Sequence, residues 1–227
     1  MFPQRINLIL YSTLAVIICY IDRVNISVAI IPMQDQFGWS DSQVGFIFSS
    51  FYIGYMLTMA LGGYLSDKFG GKLVLGFGVV LWSIFTILTP LAAHNGFFAL
   101  FFMRILVGLG EGVTFPAWQS LYARWIPFKE RTRAIAFTNS GISIGTIFGY
   151  IGTQMIIIAM GWEWAFYIFG IVGLIWFVFW YRDVSSFPSG HKRISSEELE
   201  YILKNAPSSE PIKKIPIKDL LLSLIHI

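Results

Sequence analysis

Residues 104–116, RILVGLGEGVTFP, place an arginine and a glutamate in the middle of an otherwise apolar segment. From Phe97 to Trp118 the only ionisable residues are Arg104 and Glu111. At about 1.5 Å per residue that window is long enough to cross the ~30 Å hydrocarbon core of a bilayer. A charged side chain at the centre of such a span costs about 2.5–3.5 kcal/mol on insertion scales, so it usually faces a cavity and carries function. Arg104 and Glu111 are about two helical turns apart and share one face. Gly108, Gly110 and Gly112 lower the helix propensity around Glu111 but let a neighbouring helix approach closely.

The rest of the 227-residue chain has the same character. It is 56% hydrophobic, 17% aromatic and only 13% charged, with a mean hydropathy of +0.66. Soluble domains carry about 25% charged residues, so a membrane protein is expected. The net charge of +3 and pI near 9.0 mark basic loops rather than a nucleic-acid partner. Cys19 is the single cysteine, which excludes an internal disulfide and leaves no cysteine-based metal site. The N-terminal apolar run continues to about Ile31 without a small-residue cleavage site, as a retained first span does.

Hydropathy predicts six spans, roughly Asn7–Ile31, Ser42–Tyr64, Leu73–Ala92, Phe97–Trp118, Ala134–Met160 and Trp164–Tyr181. Sixteen Lys and Arg residues test the topology. Arg23 and Arg104 lie inside spans; the other fourteen fall before span one, between two and three, between four and five, or after six. The remaining loops hold Asp35, Asp41, His94 and Glu163. This positive-inside pattern predicts a multi-pass protein with both termini cytoplasmic. Trp39, Trp162 and Trp164 are expected in the outer aromatic belt, and Trp125, Trp180 and Tyr181 in the inner one.

Three segments follow. Residues 1–182 form a six-helix transmembrane bundle. Residues 183–219 read as a cytoplasmic linker with Pro207, Pro211 and Pro216, in which Ser195 caps a short surface helix ahead of Leu199 and Ile202. Residues 220–227 turn apolar again, as the start of a truncated seventh helix or a tail packed on the membrane.

Span one adds Asp22, Arg23 and Asn25. Counted inward from Pro32 and Gly96, Asp22 and Arg104 lie about 15 and 12 Å deep and Glu111 about 22 Å. Four unpaired charges in the membrane would cost on the order of 10–14 kcal/mol. Two acids and two bases therefore predict mutual pairing, Asp22 with Arg104 and Arg23 with Glu111. These are either permanent bridges that fix helix register, or a site where Arg23 takes an anion while Glu111 or Asp22 takes a proton. Tyr20, Asn25, Tyr52, Tyr55 and Asn139 add polar groups at similar depth that suit a hydroxylated or carboxylated solute.

Further motifs carry a resemblance. GYLSDKFGGK, Gly63–Lys72, resembles the signature loop of the major facilitator superfamily. YIDRVNISVAI, RILVGLGEGVTFPA, ARWIPFKERTRAIAF and WEWAFYIFG are together similar to its anion:cation symporter family, over about Tyr20 to Ile202. The resemblance implies coupled transport of an organic anion of the hexuronate, glucarate or galactonate type, with a proton or possibly sodium as coupling ion and no other cofactor. It implies Arg23 as the anion contact, Glu111 as the coupling acid, and Asp22 with Arg104 as its partner pair. Asp67 would bridge toward the other half of the carrier, with Lys72, Arg124, Glu130, Arg131 and Arg133 in the same cytoplasmic gating network. Gly71 stands where the usual loop has a base, which thins that network by one charge.

Such carriers have two six-helix halves with substrate bound between them. The chain therefore reads as an all-α, N-terminal half, with a second six-helix half as its missing partner and the bacterial inner (plasma) membrane as its place. The competing reading is a non-transporting membrane protein, such as a regulatory subunit. No nucleophile–base constellation or phosphate loop argues for an enzyme, and the glycines of GLGEG lack the preceding strand that a dinucleotide fold requires.

Overall fold

A computed structural model describes residues 3–206 of the chain. The expectations for 207–219 and for the apolar 220–227 lie outside the described residues. The described part is an all-helical bundle: α1 (Gln4–Phe37), α2 (Asp41–Phe69), α3 (Gly71–His94), α4 (Phe97–Glu111), α5 (Thr114–Trp125), α6 (Phe128–Met160), α7 (Trp162–Asp183) and α8 (Ser196–Asn205). Six spans are long and apolar enough to cross a membrane, with α4 and α5 together making the fourth.

The helices overrun the predicted spans at most of their ends. Pro32 does not end α1, which runs on to Phe37 and stops where Gly38 turns left-handed at φ 65. His94 is not in a loop: it closes α3, and its Nε2 lies 3.6 Å from Glu163 Oε1. Hydropathy marks the greasy middle of a helix, whereas backbone hydrogen bonding continues into the polar boundary.

The fourth span departs most from expectation. It reaches Trp125, but it breaks between Glu111 and Thr114. Pro116 explains the position, because it offers no N–H to the carbonyl of Gly112 and its ring crowds that carbonyl. The hydrogen bonds resume with Ala117 N–H to Val113 O at 3.0 Å. The break leaves Glu111 as the last residue of α4.

Close backbone approach holds α2 against α4. A methyl group on Gly108 would run into the Phe51 carbonyl, and one on Gly54 into the Ile105 carbonyl. In a lipid solvent, where apolar burial drives little, such small-residue contacts carry helix association. Gly141, Gly145 and Gly149 form a comparable stripe on α6 against α1. The core has two parts. One surrounds Trp82, Trp118, Trp125 and Trp180 toward the end rich in Lys and Arg. The other surrounds Met33, Trp39, Leu100, Trp162 and Phe166 at the opposite end.

The aromatic-belt expectation needs correcting on this point. Trp125 and Trp180 are buried at 1% and 0% exposure, donating their indole N–H to Ser185 O (3.0 Å) and Lys72 O (2.9 Å). Trp39 and Trp162 are also buried, while Trp164 and Tyr181 face outward. Trp125 and Trp180 stand near the span ends but point into the protein, where a backbone carbonyl satisfies the indole.

At the basic end, α8 folds back onto the bundle. Glu198 accepts the backbone N–H of Gln4 (2.8 Å) and Arg5 (3.1 Å), capping α1, whose own N-cap is Pro3. Arg5 also bridges Glu198 (3.3 Å) and Glu130 at the start of α6 (3.0 Å), and Tyr201 donates to Glu130 (2.9 Å).

The glycine contacts give a direct test. Gly108→Ala should lower the thermal midpoint of the detergent-purified chain, with an overpacking cost of about 1–3 kcal/mol. Gly45→Ala, where the added methyl meets nothing within 4 Å, should not lower the midpoint and should raise it slightly through helix propensity.

Candidate functional site

The discontinuity after α4 presents Glu111 to α1. Arg23 donates to Glu111 Oε2 through Nε (3.2 Å) and Nη2 (3.0 Å), with the glutamate side chain at 0% exposure and the arginine at 17%. The expected Arg23–Glu111 pairing is therefore present, through a single carboxylate oxygen. Glu111 Oε1 is buried without a hydrogen-bond partner among the described residues. Cys19, one turn before Arg23, donates its thiol to the same Oε2 at 3.3 Å.

Three rings enclose the Arg23 guanidinium. Its carbon lies 4.7 Å from the Tyr20 centroid, 4.8 Å from Tyr55 and 5.2 Å from Phe51. Phe51 also stands 5.0 Å from the guanidinium of Arg104. One benzene ring thus lies against two cations, which its quadrupole attracts where water is excluded. Phe51 stacks on Tyr55 with centroids 5.7 Å apart, fixing the ring between the two arginines.

The second predicted pair does not form. No ion pair joins Asp22 and Arg104 within 4 Å among the described residues, and both Asp22 carboxylate oxygens, the Arg104 Nε and both side-chain atoms of Asn25 are buried without a hydrogen-bond partner there. The depth estimate was a scalar; pairing also needs the right rotation about the helix axis, and Arg104 turns toward Phe51 instead. Asp22 and Asn25 therefore constitute a buried polar patch on α1, in which the Trp82 indole N–H is the donor facing the Asp22 carboxylate and Asn25 has no partner among the described residues, beside the satisfied Arg23–Glu111 pair.

The other expected contacts divide. Tyr20 and Tyr55 are half-buried and touch Arg23, whereas Tyr52 and Asn139 are exposed, Tyr52 at 55%. Cys19, Phe51 and Trp82 escaped the sequence reading. Cys19 and Phe51 were findable, since each precedes a selected residue (Arg23, Tyr55) by one helical turn. The buried indole of Trp82, which faces the Asp22 carboxylate, gave no sequence signal.

The gating set does not converge on Asp67. Arg124 lies 3.8 Å from Asp67, and Ser120 donates to it at 3.3 Å. Glu130 instead joins Arg5 and Tyr201, and Arg131 caps the carbonyls of Ala123 (3.1 Å) and Ile126 (3.4 Å). Lys72 donates to Tyr181 O at 2.7 Å, and Arg133 is exposed. Loop proximity in sequence brought these residues to one end of the bundle, but backbone carbonyls take Lys72 and Arg131, and side chains of α1 and α8 take Glu130.

A six-span bundle with a buried cation–carboxylate pair between its first and fourth spans belongs to the class of polytopic α-helical membrane proteins. Residues 12–225 match the Major Facilitator Superfamily model, and the chain belongs to that family. Its relatives include the probable anion transporter 4, chloroplastic, of Oryza sativa subsp. japonica, 46% identical over 97% of this chain and 37% of that protein. The ascorbate transporter, chloroplastic, of Arabidopsis thaliana is 44% identical over 97% of this chain and 41% of its own length. Sialin of Ovis aries is 38% identical over 97% and 51%. The chain thus spans about two fifths to one half of these relatives. Among solved structures, a bacterial homologue of the lysosomal transporter Spinster superposes with TM-score 0.74 at 23% identity, over 85% of this chain and 47% of that one. The proton:xylose symporter bound to 6-bromo-6-deoxy-D-glucose gives TM-score 0.73 at 22% identity, over 88% and 49%. The fold is half of the major facilitator fold.

A stability cycle tests the pair. Arg23→Ala leaves a buried carboxylate without its base and should destabilise the chain by about 3–5 kcal/mol. Adding Glu111→Gln should recover most of that loss in detergent unfolding, because the uncompensated charge is gone.

Proposed function

We infer that the chain is the N-terminal half of a secondary carrier that moves an organic anion of the sugar-acid type together with a proton. The observation that carries this reading is the buried Arg23–Glu111 pair, in which one face of the guanidinium is already committed and one carboxylate oxygen is free. An incoming carboxylate competes with Glu111 for Arg23, and a proton on Glu111 releases the arginine to take it. Each event favours the other, which is the condition for symport. Tyr20 and Tyr55 border the guanidinium and supply hydroxyls for a polyhydroxylated solute, and Asn25 and Asp22 hold polar capacity nearby. The plant relative named as an ascorbate transporter supports a sugar-derived acid as substrate class. Sodium is the alternative coupling ion, and the buried carboxylates favour the proton.

The proposed partner is a second six-helix half. It would supply the far wall of the cavity and cover apolar side chains that α2 and α6 leave exposed, among them Met56, Leu57, Ile151 and Met155. Asp67, 3.8 Å from Arg124, would engage that half during the cycle. The basic end is proposed as cytoplasmic, with both termini there. The bacterial inner membrane remains the reading from the motif resemblance; relatives named as chloroplastic favour an organellar membrane as the second reading.

Proteoliposome transport of a labelled hexuronate or ascorbate tests the mechanism in a carrier that joins this half to its complement. Glu111→Gln should abolish proton-driven accumulation while sparing counterflow, and Arg23→Ala should lower uptake at least tenfold. Intact accumulation in Glu111→Gln removes that residue as the coupling acid. Indifference to both substitutions would place the chain among non-transporting membrane proteins. By itself the 227-residue chain is expected to give no saturable uptake, since alternating access rocks one half against the other.

A further inference from the structure

We propose that a basic pocket between α3, α7 and residues 184–193 binds the phosphate headgroup of an anionic phospholipid. The pocket has a volume of ≈ 430 Å³ and is lined by Lys72, Tyr181, Arg182, His191, Lys192 and Arg193, with the linker backbone. Four of these side chains are full cations, and the carboxylate in contact with them is Asp183. Asp183 accepts both Nε and Nη2 of Arg182 at 2.9 Å, takes Arg193 as a second partner, and accepts Tyr11 at 2.8 Å. One anion thus orients two arginines and neutralises one charge, leaving a net excess of three. His191 accepts the Arg193 backbone N–H at Nδ1 (3.2 Å), so Nε2 carries the proton and donates to Asp183 O (3.0 Å). The imidazole bridges two backbone groups and serves to shape the loop.

The two lysines supply the free donors. Lys72 gives one N–H to Tyr181 O and lies 4.6 Å over the Tyr181 ring, keeping two more. Lys192 is exposed, with no hydrogen bond or ion pair among the described residues. A phosphate oxygen accepts charge-assisted hydrogen bonds from such groups, and basic pockets between membrane helices hold phosphorylated headgroups by this chemistry.

The surroundings favour a lipid over a free phosphate ion. Lys72 is in the first turn of α3 and Tyr181 in the last turn of α7, so the pocket lies at the boundary of two membrane spans. Tyr181, Phe77 and Val178 face outward at 57%, 59% and 64% exposure. On the next face of α3, Leu73 and Phe77 line an apolar groove of ≈ 480 Å³ with Leu65 and Phe69 of α2. A polar head site at the first turn of α3, beside outward-facing Tyr181 and Val178 and with an apolar groove that starts at the neighbouring Leu73, suits an amphiphile.

Native mass spectrometry of the purified full chain in detergent, titrated with dioleoylphosphatidylglycerol, tests the proposal. Dioleoylphosphatidylcholine and millimolar inorganic phosphate serve as parallel probes. One saturable phosphatidylglycerol is expected, with much weaker phosphatidylcholine binding and no displacement by phosphate. Lys192→Gln should weaken phosphatidylglycerol binding on the order of fivefold, and Lys72→Gln with Lys192→Gln further. Lys192 makes no contact that folding needs, so its variant decides the matter even if the double variant misfolds. Parent-like affinity in Lys192→Gln, or equal binding of the two lipids, overturns the proposal. Displacement by inorganic phosphate does so as well, and assigns the pocket to a free ion.

Discussion

A bidentate contact between the Arg23 guanidinium and one oxygen of Glu111 is the constraint on which the bundle turns. Two charges in a low-dielectric interior are tolerated when they meet with good geometry, and each becomes costly when its partner leaves. To meet, they need α1 and α4 at one depth and in one rotation. The Pro116 break sets where α4 ends, and the glycine contacts set how near α2 lies to it. Phe51 of α2 can therefore stand against both arginines. The ion pair, the break and the glycine packing are one arrangement seen from three helices.

The ends of the bundle are held by a different chemistry. At the basic end, backbone groups take partners alongside the side-chain ion pairs. Glu198 caps α1, Arg131 binds the carbonyls of the loop before α6, and Lys72 binds the last turn of α7. These contacts satisfy helix-end groups that a bilayer boundary leaves only partly hydrated. Glu198 on α1, Tyr201 on Glu130 of α6 and the Ser185 carbonyl on Trp125 of α5 tie residues 185–201 to three spans, so this part of the segment is packed onto the bundle. Asp67 with Arg124 stands apart from that framework, at 3.8 Å and with Asp67 well exposed. Of the basic-end contacts it is among the looser, as an element that changes partners would be.

Between these ends the polar groups on α1 are unequal. Arg23 is satisfied by Glu111 and three rings; Asp22, buried beside it, is faced by the Trp82 indole alone, and Asn25 has no partner among the described residues. Buried polar groups in proteins are ordinarily paired, and exceptions concentrate where function needs spare capacity. A half bundle with this asymmetry has one completed interaction and adjacent groups still able to make another. The major facilitator fold places its substrate between two such halves, which is where that capacity would be used.

Hydropathy alone determined the six spans, their antiparallel order and the clustering of Lys and Arg at one end. The reason is that a bilayer imposes its thickness on every crossing segment independently, so the information is local. The Arg23–Glu111 pairing was also legible, because both residues are rare in such segments and of opposite sign. The tertiary structure decided the rest. Asp22 and Arg104 have matching depth yet do not pair, Trp125 and Trp180 turn inward, and Glu130 joins Arg5 rather than the charge network around Asp67. Each outcome depends on how far a helix is rotated and tilted against its neighbours. That rotation is a sum over many packing contacts from several spans, and no single stretch of sequence contains it.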